Sequence, residues 1–269
     1  MILGILCLHD DADIVESCFR WHLNNGVDKL CVMFHNATEE TKEAIAPFSD
    51  EIAVALYSTE KKYNQHVWMD ELRRTACDSL NLTQDDWFVH FDADEFWSNL
   101  ELLRTVPKSA QAVSTNTWIN YLPYATDEHN FSDVKDYVFS NFMHYGSNLS
   151  KVALRARSTL VTTTGNHFAV HCVPRGNKGY FIQPTPGLVV WEDILIDHFP
   201  LRTFKQFSKK VEAAKRLVLD PDEKTSWHWK EWATQKNPMH WYNVVMRGDP
   251  EKVKPIDDRM KHRLLKLGV

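Results

Sequence analysis

The sequence predicts an α/β fold in which a mixed, mostly parallel sheet is flanked by helices. Short apolar runs alternate with longer segments whose apolar residues recur at helical spacing, a pattern typical of parallel sheets with right-handed crossovers. With 269 residues, 43% of them hydrophobic, the chain is long enough to bury one large core. No internal repeat, low-complexity run or Gly/Ser-rich linker divides it. We therefore expect one domain over residues 1–215 and a helical C-terminal extension over residues 216–269 packed on it.

The individual elements follow from apolar runs and helical spacing, taken in chain order. In the first half, the expected strands are Ile2–Leu8, Lys29–Phe34, Ile52–Tyr57 and Trp87–Phe91. The expected helices between them are Asp13–Asn24, Glu39–Phe48 and His66–Leu80. In the less regular second half, we expect strands over Ala112–Ile119, Lys151–Arg155 and Gly187–Ile196 and a helix from Thr203 to about Leu219. The clearest alternation of strands and helices therefore lies in the first half.

Three acidic residues follow directly on the last apolar run of the first half. Trp87–Phe91 predicts a short buried strand, and Asp92, Asp94 and Glu95 stand just beyond its C-terminal end. Open α/β sheets bind ligands at this edge, and residues i and i+2 of an extended segment point to the same side. Two such carboxylates suit Mg²⁺ or Mn²⁺, which also takes diphosphate oxygens as ligands. The alternative is a polar strand end whose acids cap the next helix.

Composition and charge argue against several classes of protein. The net charge of −5 and the pI near 6.2 do not favour a nucleic-acid binder, which usually has a basic face. Five scattered cysteines without a CxxC pair indicate free thiols in a reducing cytosol. The apolar start Met1–Leu8 is too short for a signal peptide, and no run approaches the ~20 apolar residues of a membrane span. We therefore expect a cytoplasmic protein without a transmembrane segment.

Seven short motifs stand in a characteristic order along the chain. They are Cys7–Glu16, Phe19–His22, Gly26–Leu30, Asp92–Phe96, Lys151–Arg155, Gly165–His167 and His198–Thr203. Together they resemble the motifs of family 2-like glycosyltransferases of the GT-A fold, over about residues 3–215. Asp10-Asp11 stands where that family usually carries Asn-Glu, and Asp92–Phe96 resembles its metal motif. Several weak motifs in the right order are more specific than any one of them.

The resemblance implies a nucleotide-sugar donor at the strand ends of the first half. Asp11 and Asn36 are the expected contacts to the base and ribose, although Asp11 is equally placed to cap the following helix. Arg74 resembles a residue that faces the donor diphosphate, with a solvated helix face as the alternative. Lys151 and Arg155 are expected to balance phosphate charge, or else to form an ion pair at a strand edge.

Two histidines of the second half resemble later contacts of the family. His198 resembles the histidine that completes the metal shell beside Asp92 and Asp94, and imidazole suits Mn²⁺ better than Mg²⁺. A strand-end histidine bonded to backbone is the alternative for His198. His167 is the rival contact to metal or phosphate and a candidate catalytic residue.

The catalytic base is expected to be Asp193. An inverting transfer needs a general base that deprotonates the acceptor hydroxyl. Glu192-Asp193 resembles the Glu-Asp pair that supplies it, although it stands closer to His198 than that pair usually does. A retaining transfer needs no such base, so the stereochemistry stays open. The rival candidates are Asp127, Glu128, Glu95 and His167.

The resemblance implies a metal-dependent transfer of sugar from a nucleotide-sugar, a UDP-sugar above all, to a saccharide or lipid-linked glycan. Residues 1–98 would form the nucleotide-binding half and residues 99–215 the acceptor half. Bacterial surface polysaccharide or glycolipid synthesis is the implied setting. The aromatic segments 227–232 and 240–242 suggest a sugar platform, peripheral membrane contact or a packed helical cap.

Two other classes of function stay open. A nucleotidyltransferase also binds nucleotides on an α/β sheet with an Asp-x-Asp metal site. It is disfavoured because no Gly-rich, basic phosphate loop follows the first strand, Ile2–Leu8. A glycan- or nucleotide-binding module without catalysis is the non-enzyme alternative. The intact pair Asp92 and Asp94 argues against it.

Overall fold

The computed structural model describes residues 1–60, 64–123, 139–144, 150–174, 180–183, 187–200, 202, 204–218, 234 and 253–255. The chain divides into two compact units. The first consists of Met1–Trp118 and Tyr145–Asp197, and the second of Ile119–His144 and His198–Val269. The helical extension expected over residues 216–269 lies almost wholly outside the described residues. It stays a prediction, as does the single domain over residues 1–215.

The elements alternate along the first part of the chain and become mainly strands after it. The helices are α1 (Val15–Asn24), α2 (Glu39–Ile45), α3 (Gln65–Ser79) and α4 (Phe204–Val218). The strands are β1 (Ile2–Leu8), β2 (Lys29–His35), β3 (Ile52–Ser58), β4 (Trp87–His90), β5 (Glu95–Ser98), β6 (Ala112–Thr115), β7 (Trp118–Pro123), β8 (Phe139–His144), β9 (Lys151–Arg155), β10 (Val161–Thr162), β11 (Ala169–Pro174), β12 (Tyr180–Gln183), β13 (Leu188–Val190), β14 (Leu195–His198) and β15 (Val253–Pro255). Every strand and helix predicted in the first half is present, with ends that differ by at most three residues.

The first unit is built on a seven-stranded sheet in the order β13-β6-β9-β4-β1-β2-β3. The four strands β4, β1, β2 and β3 are parallel to one another. β9 runs antiparallel between β4 and β6, and β13 is parallel to β6. The α/β class and the mixed, mostly parallel sheet flanked by helices are thereby confirmed. The alternation of strands and helices indicates a parallel sheet in the first half of the chain, because the one antiparallel strand of this sheet, β9, comes later.

Helix α3 covers the parallel strands because its apolar residues lie on one side. Trp68, Met69, Leu72 and Ala76 are buried and pack in one cluster with core side chains of β1, β2 and β4. At about 25 cal/mol per Å² of apolar surface, each fully buried large side chain stabilises the fold by roughly 1.5–3 kcal/mol. This packing fixes the N-terminal end of α3 at the edge of the sheet where β1 and β2 end.

Two predicted strands are interrupted at places that are hydrogen-bonded to each other. The segment expected over Ala112–Ile119 forms β6 and β7, and the segment expected over Gly187–Ile196 forms β13 and β14. Hydroxyl groups lie at the first break, where Thr115 donates to the carbonyl of Ile194 and Thr117 to that of Glu192. Backbone bonds join the same segments, since the N–H of Ile196 donates to the carbonyl of Thr117, so the two breaks lie side by side.

The second unit contains a small antiparallel arrangement and the last long helix. β8 pairs with β7 from Ile119 onward and, on its other side, with β15. In α4, Phe207, Val211 and Ala214 are buried at helical spacing. Among the helices that the structure describes, none is long and apolar enough to cross a membrane.

The Trp-His pair at the end of α1 holds the strand that follows the acids. Trp21 donates its indole N–H to the carbonyl of Trp97, at 2.7 Å, and His22 Nε2 accepts the N–H of the same residue, at 3.3 Å. His22 Nδ1 donates to the carbonyl of Cys18, and the ring stacks on Phe91 at a centroid distance of 3.8 Å. The imidazole is therefore held as the neutral Nδ1–H tautomer. Burial lowers the pKa of His22 to about 3.

We expect His22 to make the protein sensitive to acid. Its folded pKa lies below the unfolded value of 6.5, so its contribution to stability is present above pH 6.5 and lost as pH falls toward 3. At pH 5 the loss amounts to about 2 kcal/mol. His22→Gln should therefore lower stability at pH 7.5 but reduce the further loss between pH 7.5 and pH 5, as measured by urea unfolding. The same two measurements on His66→Gln, a variant of an exposed histidine, supply the control for the substitution itself. An unchanged difference in the His22 variant would contradict the assignment.

Candidate functional site

The acidic residues lie where the parallel sheet reverses its winding direction. β4 and β1 are neighbours, and from β1 the chain continues to β2 on the opposite side. Ile5 of β1 pairs with His90, and the N–H of Phe91 donates to the carbonyl of Ile5. Only glycine fits at Gly4, because a Cβ there would lie 2.7 Å from the ring of Phe91. The end of β4 thus packs tightly on β1, at the position where open α/β sheets bind ligands.

Asp92–Glu95, which we call the acid turn, is closed by its own backbone. The N–H of Glu95 donates to the carbonyl of Asp92 at 3.0 Å, and the N–H of Asp92 donates to Glu95 Oε2 at 3.2 Å. Asp92 and Asp94 are partly exposed, whereas Glu95 is 1% exposed. The turn therefore presents its two aspartates outward and keeps its glutamate inside.

A buried lysine on β9 balances the charge of the acid turn. Lys151 is 1% exposed, and its Nζ lies 2.8 Å from Asp92 Oδ2 and 2.7 Å from Glu95 Oε1. It reaches them because β9 is antiparallel to β4, so that its first residue lies at the ligand-binding edge. The ammonium group also lies 5.4 Å from the ring centroid of Trp118. Lys151 thus holds the carboxylates of Asp92 and Glu95 from the buried side of the acid turn.

Burial and ion pairing act in opposite directions on these groups. Burial alone would lower the pKa of Lys151, but Asp92 and Glu95 raise that pKa above its usual range, so the ammonium stays protonated. Burial raises the pKa of Glu95 to about 8, against the opposing effect of Lys151. The lysine therefore keeps its charge, while the glutamate holds its proton more strongly than it would in water.

The donor set and its charge suit a divalent cation. Three carboxylates and one ammonium leave a net charge of −2 when Glu95 is ionised and −1 when it is protonated. Mg²⁺ and Mn²⁺ are held by one or two carboxylates and take their remaining ligands from water and phosphate oxygens. Among the described residues, no group of three or more His, Cys, Asp or Glu is arranged to hold a metal. Asp92 and Asp94 are carboxylates of the kind that bind these ions, and the metal site stays a prediction.

Gln65, the first residue of α3, joins the acid turn to a second segment of the site. Its Nε2 donates to Asp92 Oδ1, and its Oε1 accepts the N–H of Gly165, both at 3.0 Å. We call residues Gly165–His167 the glycine segment. Its backbone is unusual, since Gly165 has φ 75° and Asn166 has φ 56°. The link connects two of the motifs found in the sequence, although they are more than 70 residues apart.

The glycine segment carries a buried amide and a histidine fixed by backbone. Asn166 is 0% exposed, and neither Nδ2 nor Oδ1 has a hydrogen-bond partner among the described residues. His167 Nδ1 lies 3.1 Å from the carbonyl of Ser150, so it donates there and leaves Nε2 unprotonated in the neutral ring. His167 also lies close to Trp118, at a centroid distance of 5.9 Å. Buried amides are nearly always hydrogen-bonded, and the exception at Asn166 is a feature expected of ligand sites.

The loops after β1 and β2 meet at the same edge of the sheet. His9 Nδ1 donates to the carbonyl of His35, and Thr38 donates its N–H to the carbonyl of His9. Asp11 Oδ2 accepts the N–H of His9, so its carboxylate stabilises the loop after β1. The residue at the cap position of α1 is Ile14, whose side chain makes no capping bond.

Asn36 takes the left-handed conformation directly after β2. It has φ 46°, is exposed, and donates from Nδ2 to the carbonyl of Glu60. Beside it, the ring of His35 packs on Trp68 at a centroid distance of 4.2 Å. Burial lowers the pKa of His35, and His9 lowers it further. The structure thus brings Asp11 and Asn36 to one edge, beside a neutral aromatic surface.

Two of the predicted basic residues lie away from the acid turn. Arg155 is at the other end of β9, where it lies opposite Trp87. At about 3.3 Å per residue along a strand, Arg155 is roughly 13 Å from Lys151. It is 3% exposed, stacks on Trp87 at 4.0 Å and donates to backbone carbonyls, including those of Val106 and Asp85. The structure gives Arg155 the place of a buried link between loops.

Arg74 is likewise remote, because α3 leads away from the site. It lies nine residues after Gln65, roughly 13 Å along the helix axis. Its side chain is 69% exposed and pairs with Asp70 at 3.2 Å. Of the two neighbouring arginines, Arg73 is the buried one, and it donates to the carbonyl of Ser158.

The remaining candidates lie in different parts of the chain. Asp193 follows β13, whose C-terminal end faces the same edge as β4 but lies three strands away in the sheet. It is exposed, and its carbonyl accepts the amide of Asn99 at 2.7 Å. His198 belongs to the second unit, where its Nδ1 lies 2.6 Å from Asn120 Oδ1. Asp127 and Glu128 lie outside the described residues.

Sequence patterns did not single out every residue that holds the site. No pattern in the sequence marks the bond of Gln65 to Asp92, and the partners of Lys151 depend on the order of the strands. The best available signal was the repeated occurrence of polar residues at strand ends. It located the edge of the sheet but not the bonds made there.

Comparison with known proteins gives little beyond this geometry. No family model matches the chain, and no curated protein matches it. Among solved structures, it is similar to glucosyl-3-phosphoglycerate synthase from Mycobacterium tuberculosis in complex with Mn²⁺, UDP and phosphoglyceric acid. The identity is 16% over 44% of this chain and 43% of that one, with a TM-score of 0.30. The chain thus spans less than half the length of that protein.

Two further structures resemble the chain at similar levels. HddC from Yersinia pseudotuberculosis is 9% identical over 73% of this chain and 94% of that one, with a TM-score of 0.36. A 4-diphosphocytidyl-2C-methyl-D-erythritol synthase is 8% identical over 58% and 75% of the two chains, with a TM-score of 0.32. Likenesses at this level carry no argument about activity, so the function has to be inferred from the residues of the site.

Proposed function

We propose that this chain is a metal-dependent glycosyltransferase that moves a sugar from a nucleotide-sugar to a saccharide acceptor. The observation that carries the proposal is the acid turn at the reversal point of the sheet, with Asp92 and Asp94 partly exposed above the buried Lys151. A net negative charge at this edge attracts a divalent cation, and the cation in turn attracts a diphosphate. A UDP-sugar donor and an acceptor in a bacterial surface polysaccharide or glycolipid follow from the motif resemblance described above.

Each part of the proposed site has a separate task. Asp92 and Asp94 hold Mn²⁺ or Mg²⁺, and a bound cation neutralises charge on the departing diphosphate. Lys151 donates to Asp92 Oδ2 and so fixes the orientation of that carboxylate. Asp11 and Asn36 contact the nucleoside from the loops after β1 and β2. Arg74 and Arg155 are left out of this assignment, because their positions are remote from the acid turn.

The acceptor side of the site is assigned from the sequence. Asp193 is the proposed base, which takes the proton of the acceptor hydroxyl in an inverting transfer. His167 is the second candidate, as the sequence predicted, and its ring is oriented by the bond from Nδ1 to the carbonyl of Ser150. His198 as the third metal ligand stays a prediction.

A thermal-shift screen of nucleotide-sugars with and without Mn²⁺ tests the proposal. We expect one UDP- or GDP-sugar to stabilise the protein only when the metal is present. At about 100 times its Kd, a ligand adds roughly 2.7 kcal/mol, or about 5–11 °C for a chain of this size.

The products of turnover separate the competing functions. Transfer of a sugar releases a nucleoside diphosphate, whereas nucleotidyl transfer releases pyrophosphate. Metal-dependent release of nucleoside diphosphate with the stabilising donor would support the proposal. Release of pyrophosphate from a nucleoside triphosphate incubated with a sugar phosphate would favour a nucleotidyltransferase, and binding without any turnover would favour a binding module.

A further inference from the structure

We propose that Gln65 is a positioning residue of the donor site, which fixes Asp92 to the glycine segment and so sets the affinity of the acid turn for its cation. This inference rests on the proposed function, because it assumes that Asp92 is a metal ligand. Gln65 is 5% exposed, and both ends of its amide are engaged. It is the only described residue outside β9 whose side chain donates to the Asp92 carboxylate in the hydrogen bonds above.

The orientation of the Gln65 amide follows from its two partners. The N–H of Gly165 is a donor, so the amide oxygen has to face it. The amide NH₂ is then directed at Asp92 Oδ1, which has to accept. Lys151 donates to Oδ2 of the same carboxylate. One donor on each oxygen fixes the plane of the Asp92 carboxylate and leaves further lone pairs on both oxygens for a cation.

The second partner of Gln65 is a segment that has little freedom of its own. A Cβ on Gly165 would lie 2.8 Å from the ring of His167, so glycine allows the close approach. The carbonyl of His167 accepts the hydroxyl of Ser150, and its ring donates to the same residue. Through Gln65, hydrogen bonds therefore join the acid turn to the glycine segment, which also carries the buried Asn166.

The length of the side chain is essential to this role. Gln65 stands at the first position of α3, whose buried residues anchor the helix on β1 to β3. From that fixed position the amide has to reach Asp92 and Gly165 at once. Methionine has nearly the same length but forms neither bond, and asparagine keeps the amide but is one methylene too short to reach both partners.

Mn²⁺ binding by Gln65→Met and Gln65→Asn tests the inference directly. Loss of a partner that orients a metal ligand typically lowers metal affinity about 10- to 100-fold. We expect a loss of that size in both variants, measured by electron paramagnetic resonance of free Mn²⁺ in the presence of the stabilising nucleotide. Circular dichroism at the same temperature establishes that each variant is folded. If the methionine variant does not fold, the asparagine variant decides the question.

Gln84 provides the matched control, because its amide also makes a hydrogen bond, to Gln111, in a part-buried position away from the acid turn. Gln84→Met should bind Mn²⁺ like the parent protein. A folded Gln65 variant whose Mn²⁺ affinity stays within about twofold of the parent's, against the expected 10-fold loss, would overturn the role of Gln65 alone. A parent protein that binds no Mn²⁺ with any nucleotide would instead overturn the proposed function, and the role of Gln65 with it.

Discussion

Replacing Asp94 with alanine is expected to abolish sugar transfer while the protein stays folded. The side chain is partly exposed at the outer side of the acid turn, beside two other carboxylates. Its removal relieves repulsion within the turn, so stability should not fall. Metal-ion stabilisation of a leaving group is worth several kcal/mol, and about 3 kcal/mol corresponds to a hundredfold loss in kcat. The measurement is the rate of nucleoside diphosphate release, together with the melting temperature.

Asp78 on α3 is the matched control for the Asp94 variant. It is an aspartate whose side chain is 81% exposed and whose nearest described ion-pair partner, Arg157, lies at 3.7 Å. Asp78→Ala should therefore transfer sugar at the rate of the parent protein. Full activity of Asp94→Ala would remove the metal assignment, whereas loss of activity in both variants would point to a general effect of lost negative charge.

Replacing Lys151 with methionine is expected to destabilise the fold by about 3–5 kcal/mol. A buried ion pair contributes little compared with apolar residues of the same size, but removing one partner leaves the other charge uncompensated. Above pH 8, where Glu95 is ionised beside Lys151, the residue left behind is a carboxyl group that is 1% exposed and has either to stay charged or to take up a proton. For a chain of this length the loss corresponds to a fall in Tm of roughly 6–20 °C. Equilibrium unfolding in urea measures it.

The double variant with Glu95→Gln separates charge from packing. Because burial already raises the pKa of Glu95 to about 8, a neutral glutamine should recover much of the stability lost with Lys151. Exposed ion pairs usually contribute less than about 1 kcal/mol to stability. If Lys151→Met lowers the free energy of unfolding by less than this, solvent reaches the pair and screens it. A double variant no more stable than the single one would show that the lysine acts through its packing.

The first half of the fold could be predicted because its strands are short apolar runs bounded by polar residues. Trp87–Phe91 illustrates this, since the run itself marks the strand and the acids that follow mark its end. The broken strands of the second half could not be predicted in this way. Their ends lie where Thr115 bonds to Ile194 and Thr117 bonds to Glu192, and each pair of partners is separated by more than 70 residues.

The site was predicted best where position along a strand was enough. Asp92 and Asp94 follow a strand end and lie at the edge of the sheet, as expected. Lys151 and Arg155 show where this reasoning fails. They are on the same strand at similar burial, yet one faces the acid turn and the other the opposite edge. Which of them meets the acids depends on the direction of β9, and no local pattern reveals that direction.

The late position of β9 has a consequence for synthesis of the chain. Lys151 follows Glu95 by 56 residues, which a ribosome adds in roughly 3–11 s at 5–20 residues per second. Until then, the nascent chain contains the four parallel strands and the acids but not the cation that neutralises them. Glu95 has to stay hydrated or protonated during that interval. The acid turn therefore gains its buried counter-charge only when β9 inserts beside β4.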